Sequence, residues 1–423
     1  MLDNSILKKD IAEGTAKRRQ LGLYIHIPFC IKKCDYCDFL SAPADEETKR
    51  RYFDALITEI WSYKGKTEGY MVPTIFIGGG TPSAVTATYI HEILEAIGEI
   101  FYLDKKQLEA TIELNPGTVT KEKLETYKES GINRLSFGLQ STDNNELKLL
   151  GRIHTYEQFE ENYLLAREVG FQNINIDLMS ALPGQTIKSW ETTLNQVIRL
   201  KPEHISAYSL IIEEGTPFYR RYGEGLIEEP ELPDEETDRL IYSNTKDILE
   251  ANGYHRYEIS NYAKNGYECR HNSSYWSDIE YLGIGLGASS LINGARFSNL
   301  HDLEQYISLC KGYKFSNQTN ESNYDLRHSD NITIDSIGIR IEHEALSIKQ
   351  RMEEFMFLGL RMSSGISRES FQIRFHTSVE AIYGKTIQAL IKDKLLVSEG
   401  DRIYLTDYGI DVSNVVFSQF LLD

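Results

Sequence analysis

Cysteine is scarce: five in 423 residues. An odd number, three of them within eight positions, leaves no room for a disulfide framework and points to a metal site in a reduced compartment. No stretch of 18 or more apolar residues occurs, which excludes a membrane-spanning helix of the usual kind. Positive charge is also lacking. Lys and Arg number 45 against 63 Asp and Glu, a formal net charge of −18, a poor footprint for nucleic acid, whose binders displace counterions with clustered cations. The first twenty residues are polar and lack the apolar core of a signal peptide. A cytoplasmic location is the expectation, compatible with peripheral attachment to a membrane. Neither a monomer nor a dimer is favoured.

What is present is ordinary for a folded protein, with 41% hydrophobic and 26% charged residues. Short apolar runs at Leu23–Ile27, Thr74–Ile77, Ala110–Leu114, Arg134–Leu139, Asn173–Leu178 and His204–Ile211 read as strands. Helical patterns lie between them at about Glu46–Tyr63, Ala87–Ile100, Lys121–Glu129, Tyr156–Val169 and Lys188–Leu200. Six such alternations imply parallel strands joined by right-handed crossovers, an α/β incomplete (β/α)6 barrel with chemistry at the carboxyl ends of its strands. A covering helix is expected over Asp234–Asn252.

The organisation this predicts is a polar tail (1–20), a barrel core (21–253), an extension (254–311), a linker or loop (312–330) and a C-terminal domain (331–423). The last should be small, mostly helical and winged-helix-like, with helices at Lys349–Met362 and Ser378–Asp393 before a hairpin turning near Gly400–Asp401. It is not markedly basic, so a structural role suits it better than DNA binding.

The central motif is Cys30-Ile-Lys-Lys-Cys34-Asp-Tyr-Cys37, directly after the first strand. Three thiolates on one short loop can each take one corner of a cubane cluster, leaving the fourth iron open to an outside chelator. The alternative is a zinc site completed by His26 or a distant residue, although no second cysteine knuckle appears. Ile77-Gly78-Gly79-Gly80-Thr81-Pro82 follows the second strand and, alone, is only a tight turn. Glu113 ends the third strand. It is either a ligand-binding carboxylate or an ordinary strand end.

The C-x3-C-x2-C spacing resembles that of the radical S-adenosylmethionine (SAM) superfamily. With FIGGGTP, ELNPGT, RLSFGLQS, LGRIH and NIDLMSALPGQT in order, the chain is similar from about Leu21 onward to the oxygen-independent coproporphyrinogen III oxidase family. The resemblance implies a [4Fe–4S] cluster on Cys30, Cys34 and Cys37, with SAM on its open iron. It further implies that Tyr24 packs near the cluster and that Gly79, Gly80, Thr81, Glu113, Gln140, Arg152 and Asp177 form the SAM pocket. Tyr36 could pack on the adenine or merely within its loop, and Arg152 could instead make a surface salt bridge.

The decarboxylating oxidases of this family carry a further cysteine two residues after the third; here Phe39 stands there. That substitution, and the sequence His271-Asn272-Ser-Ser-Tyr275-Trp276, resemble the haem-chaperone (HemW) branch, whose HNxxYW motif binds haem. His271 would be an axial ligand, with Asn272, Tyr275 and Trp276 around the porphyrin; the plainer alternative is a satisfied polar turn beside an aromatic core. Cys269 and Cys310 read as free thiols, Cys269 near enough to His271 to contribute to haem attachment. The expected function is therefore haem binding and transfer to an acceptor protein, with oxidative decarboxylation of coproporphyrinogen III to protoporphyrinogen IX as the alternative. A tRNA-modifying enzyme is disfavoured by the negative charge, and a protein without a cluster by the intact thiolate triplet.

Overall fold

A computed structural model describes residues 18–422, apart from 105, 227, 278, 320–331, 333 and 334. Most of the polar tail expected over 1–20 therefore lies outside the described residues.

Six β/α units follow one another. They are β1 (Arg19–Ile27), α1 (Glu46–Ser62), β2 (Tyr70–Gly79), α2 (Ala87–Ile100), β3 (Glu109–Leu114), α3 (Lys121–Glu129) and β4 (Arg134–Gln140). The series continues with α4 (Asn144–Leu149), α5 (Tyr156–Val169), β5 (Ile174–Ser180), α6 (Ile187–Arg199), β6 (His204–Ser209), α7 (Pro217–Tyr222) and α8 (Glu235–Ala251). Strands β1 to β6 pair in parallel in sequence order, the expected incomplete barrel.

Period-two alternation sorts the side chains. Leu21, Leu23, Ile25 and Ile27 of β1 are fully buried among the helices. The intervening Gly22, Tyr24 and His26 face the interior of the arc with Thr74, Phe76 and Gly78 of β2. Helix starts are fixed by side chains that accept orphan N–H groups: Asp45, Thr120, Asp143 and Asp234, with full capping boxes at Thr155 and Thr186.

The later segments extend this same sheet at both ends. β8 (Asn261–Ala263) adds antiparallel to β6, and β7 (His255–Glu258) pairs antiparallel with β8 at the edge. After α9 (Arg270–Trp276), β9 (Tyr281–Ile284) pairs in parallel with β1. It is followed by β10 (Ser289–Ile292), β11 (Ala295–Asn299), α10 (Leu303–Thr319) and β12 (Arg340–Ala345), giving a twelve-stranded sheet.

Three expectations need correction. The extension 254–311 is continuous with the barrel sheet, because its strands pair with β6 at one end and with β1 at the other. The supposed linker from Gly312 is helical to Thr319, as α10 docks Tyr306, Ile307 and Cys310 into the core; residues 320–330 lie outside the described residues. Leu210 and Ile211 leave β6 and stand at the barrel mouth. The second core begins after β12: α11 (Ile348–Gly359), β13 (Ile366–Ser367), α12 (Arg368–Phe375), α13 (Val379–Lys392) and the hairpin β14 (Leu396–Glu399) with β15 (Arg402–Leu405). Short helices α14 (Asp407–Asp411) and α15 (Ser413–Ser418) end it. β13 pairs with β15, so three helices and a three-stranded wing form the expected winged-helix-like unit. No helix among the described residues is long and apolar enough to cross a membrane.

Candidate functional site

The carboxyl ends of β1 to β6 surround a cavity of about 440 Å3, within the range of small-molecule sites. Cys30, Cys34, Cys37, Tyr36, Gly79, Gly80, Thr81, Glu113, Gln140, Arg152 and Asp177 all line it. Tyr24 does not: it lies deeper, its hydroxyl donating to His26 Nδ1 at 3.0 Å while its ring stacks on Phe76.

Two strand ends hold the cysteine loop. The N–H groups of Gly80 and Thr81 donate to the carbonyls of Ile27 and Phe29 at 2.8 and 2.7 Å. A Cβ on Gly80 would come within 2.7 Å of that Phe29 carbonyl, and Gly79 takes φ 111° above the His26 ring. The glycine run is thus required by the close approach of β2 to the loop. On its other side, Asp35 donates its N–H to Leu150 O (3.1 Å) and accepts from Phe218 N (2.9 Å), anchoring the loop to the turn before Arg152 and to α7.

Two donors reach the sulfurs. The Thr81 hydroxyl lies 3.5 Å from Cys30 Sγ, and Arg152 Nη1 lies 3.5 Å from Cys34 Sγ. Arg152 is pinned there by Asn115 Oδ1 (2.9 Å) and the Gly138 carbonyl. Its guanidinium therefore faces the cysteine loop and is no surface salt bridge.

The donor set fits an iron–sulfur cluster. The three thiols are free and half-buried, and among the described residues no three His, Cys, Asp or Glu side chains converge on a single ion. Thiolates spread around one loop suit a cluster that takes a different iron from each. The zinc alternative loses its nearest fourth ligand, since His26 Nε2 is bonded to Leu40 O (2.9 Å) and Nδ1 to Tyr24.

Opposite the cysteines stand two carboxyls. Burial and the neighbouring Asp177 push Glu113 up to about 8, against the pull of the Gly79 N–H at 3.1 Å. Asp177 is itself raised by burial, while accepting hydrogen bonds from Ser136 (3.0 Å) and Asn175 (2.7 Å). Gln140 holds φ 75°, a left-handed conformation rare outside glycine, and its Oε1 accepts from the Tyr208 hydroxyl at 2.9 Å. Sequence reading missed Asn115, Ser136, Gly138, Met179 and Tyr208 in this wall. The usable signal was alternation: Ser136 and Gly138 share a face of β4 with Gln140, and Met179 shares one with Asp177.

The HNxxYW residues lie elsewhere. His271 contacts Thr74 and Gly22, toward the amino ends of β2 and β1, so α9 closes the barrel floor opposite the cavity. The ring is 1% exposed, stacked on Phe76, with Nδ1 bonded to Thr74 Oγ1 and Nε2 to Tyr275 Oη, each at 2.9 Å. Burial holds it down at about 3, so it is neutral at physiological pH. Glu109 accepts the backbone N–H groups of Arg270 and His271 and the Cys269 thiol. Asn272 is half-buried on α9, and the Trp276 ring lies under Arg361 of the C-terminal unit, 4.4 Å away.

Cys269 is buried and pushed up to about 12, and Cys310 is buried as well, whereas the loop cysteines face the cavity. In the apo chain, iodoacetamide should label Cys30 and Cys34 well before Cys269 or Cys310, read by peptide mass spectrometry, with Cys37 slower than its two neighbours because burial pushes it up to about 11. Early labelling of Cys269 would mean that the floor opens readily.

A parallel partial barrel with three cysteines after its first strand and a glycine turn after its second defines a radical SAM core. Residues 24–197 match the Radical SAM superfamily, and residues 346–412 match the HemN C-terminal domain. Heme chaperone HemW of Lactococcus lactis subsp. lactis is 39% identical over 401 residues, spanning 95% of this chain and 97% of its own. Heme chaperone HemW of Bacillus subtilis is 36% identical over 405 residues, 94% and 98% of the two chains. The solved coproporphyrinogen III oxidase (HemN) of Escherichia coli shares the fold at TM-score 0.79 and 23% identity, over 100% of this chain and 94% of its own. The chain belongs to the HemW family of radical SAM proteins.

Proposed function

We propose that this protein is a haem chaperone that holds a [4Fe–4S] cluster, SAM and haem, and passes haem to an acceptor protein in the cytoplasm. The observation that carries the reading is the end-to-end likeness to relatives named as heme chaperones. Phe39 supports it: an apolar side chain, 61% exposed on the cavity rim, replaces the thiol expected of a decarboxylating oxidase.

In this reading Cys30, Cys34 and Cys37 each hold one iron, and Thr81 and Arg152 stabilise their thiolate charge by donating to sulfur. Gly79, Gly80 and Thr81 receive the amino end of SAM, Glu113 accepts its ribose hydroxyls, and Tyr36, Gln140, Arg152 and Asp177 complete the enclosure. SAM held there beside a reduced cluster would supply a carbon–sulfur bond open to reductive cleavage. His271, with Asn272, Tyr275 and Trp276, is the candidate haem site. Ligation by His271 Nε2 requires it to release Tyr275, so haem entry at this motif entails opening the barrel floor.

Anaerobic reconstitution, haem titration and a coproporphyrinogen assay on the same sample test the proposal. The expected result is a haem complex with a shifted Soret band and little or no protoporphyrinogen. His271→Ala should weaken or alter that spectrum without changing the iron content. Trp276→Ala should lower affinity by about 1 kcal/mol through lost ring contact. Robust decarboxylation would reinstate the oxidase, and an unchanged His271→Ala spectrum would remove His271 from the site.

A further inference from the structure

Between the floor and the cavity, six polar side chains inside the barrel form one connected network. Asn175 Nδ2 donates to Ser136 Oγ at 2.8 Å and to Asp177 Oδ1 at 2.7 Å, which spends both of its protons. The reverse amide orientation would aim a carbonyl at a carboxylate, so Asn175 Oδ1 is the acceptor on the other side. It receives Ser206 Oγ at 3.2 Å and His204 Nδ1 at 2.6 Å. The His204 proton therefore sits on Nδ1, and Nε2 must accept, from the Tyr257 hydroxyl at 2.8 Å. Tyr257 in turn accepts the backbone N–H of Cys269 at 3.2 Å, immediately before α9. Asn175, His204 and Tyr257 are all buried, and every donor in the series points toward Asp177. Charged and titratable groups around this chain are Arg134 of β4, Glu109 of β3 and Glu258 of β7, all buried, with His255 of β7 beside Tyr257.

We infer that Asn175, His204 and Tyr257 are positioning residues: one directed chain of buried hydrogen bonds sets the Asp177 carboxylate in the cavity wall and ties it to the start of the HNxxYW helix. Aligned donors strengthen one another, and the last falls on an anionic acceptor, where a hydrogen bond is worth most. The chain gives the two ends of the barrel a physical connection, so a change in α9 alters the grip of the cavity on its ligand. This inference rests on reading the cavity as the SAM site.

The test is calorimetric titration of SAM into the anaerobically reconstituted full chain, with iron content measured on each sample. Asn175→Asp should weaken SAM binding roughly tenfold, by placing a second carboxylate where Asp177 now receives a donor. Tyr257→Phe removes a single oxygen outside the cavity wall and should weaken binding about threefold with iron content unchanged. A purely structural role would lower the melting temperature of either variant and leave its dissociation constant alone. Independently, 15N spectra of histidine-labelled protein should show His204 protonated at Nδ1 in the parent; in Tyr257→Phe that proton should stay on Nδ1, held by Asn175, while the Nε2 resonance moves to that of a ring nitrogen without a donor. Parent-like SAM affinity in both variants, or a proton on His204 Nε2, overturns the inference alone. A parent with an intact cluster that binds no SAM defeats the reading of the cavity, and the inference with it.

Discussion

Replacing Cys30, Cys34 and Cys37 together by alanine should cut bound iron from about four atoms per chain to almost none after anaerobic reconstitution. The effect is all-or-none because, among the described residues, no other cysteine and no histidine lines the cavity. His26 is occupied at both ring nitrogens, and Cys269 and Cys310 are buried away from the loop. The fold should survive, since the three thiols belong to neither of the two large apolar cores and the loop is held by backbone bonds to β2, Leu150 and α7. Circular dichroism of the variant should match the parent while the iron–sulfur absorption disappears. Stoichiometric zinc in the parent, with no such absorption after reconstitution, would defeat the assignment.

The second large effect belongs to Glu113. An unfolded glutamate titrates near 4.3, roughly, while burial and Asp177 hold Glu113 up to about 8 in the folded chain. The folded state therefore binds this proton more tightly than the unfolded state. Its contribution is fully present below the unfolded value and is lost as pH rises toward and through 8. Glu113→Gln cannot ionise, so the cofactor-free variant should melt close to the parent near pH 5 and increasingly above it toward pH 8. Above pH 8, where the parent carboxyl is ionised, the same change should weaken SAM binding about tenfold, because an amide offers one acceptor where the carboxylate offers two. Opposite signs for stability and binding would identify a carboxylate kept for its ligand at the expense of the fold. Parallel melting curves across this pH range would show that Glu113 does not carry the strain.

The parts of this arrangement legible in the sequence are those whose causes are local. Strand–helix alternation follows from hydrophobic period, the cysteine loop from ligand spacing, and the wing from a turn at Gly400–Asp401. What sequence reading misjudged depends on distant partners. The helical stretch from Gly312 to Thr319 reads as a polar linker because the anchor of its helix lies upstream, at Tyr306 on Glu59, a fully buried carboxylate. Glu59 accepts the Tyr306 hydroxyl at 2.5 Å and Asn299 Nδ2 at 2.8 Å. The short strands β7 to β12 carry too few residues to show a period, and exist because the ends of the sheet need pairing. His271 reads as an available ligand from its neighbours in sequence; Thr74 and Phe76, which enclose it, come from a strand nearly two hundred positions earlier.

The pairing of β1 with β9 has a consequence for how the chain is made. The strand that presents the cysteine loop has two neighbours, β2 close behind it and β9 beginning at Tyr281. While the ribosome has yet to deliver Tyr281–Ile284, β1 is an exposed edge with unpaired N–H and C=O groups, beside a loop of reactive thiols. Completion of the cluster-bearing strand is thus a late, long-range event, of the kind that slows folding and invites aggregation. Nascent chains stalled before Tyr281 should be the aggregation-prone species during biosynthesis, and metal loading at that stage would act on a half-paired sheet.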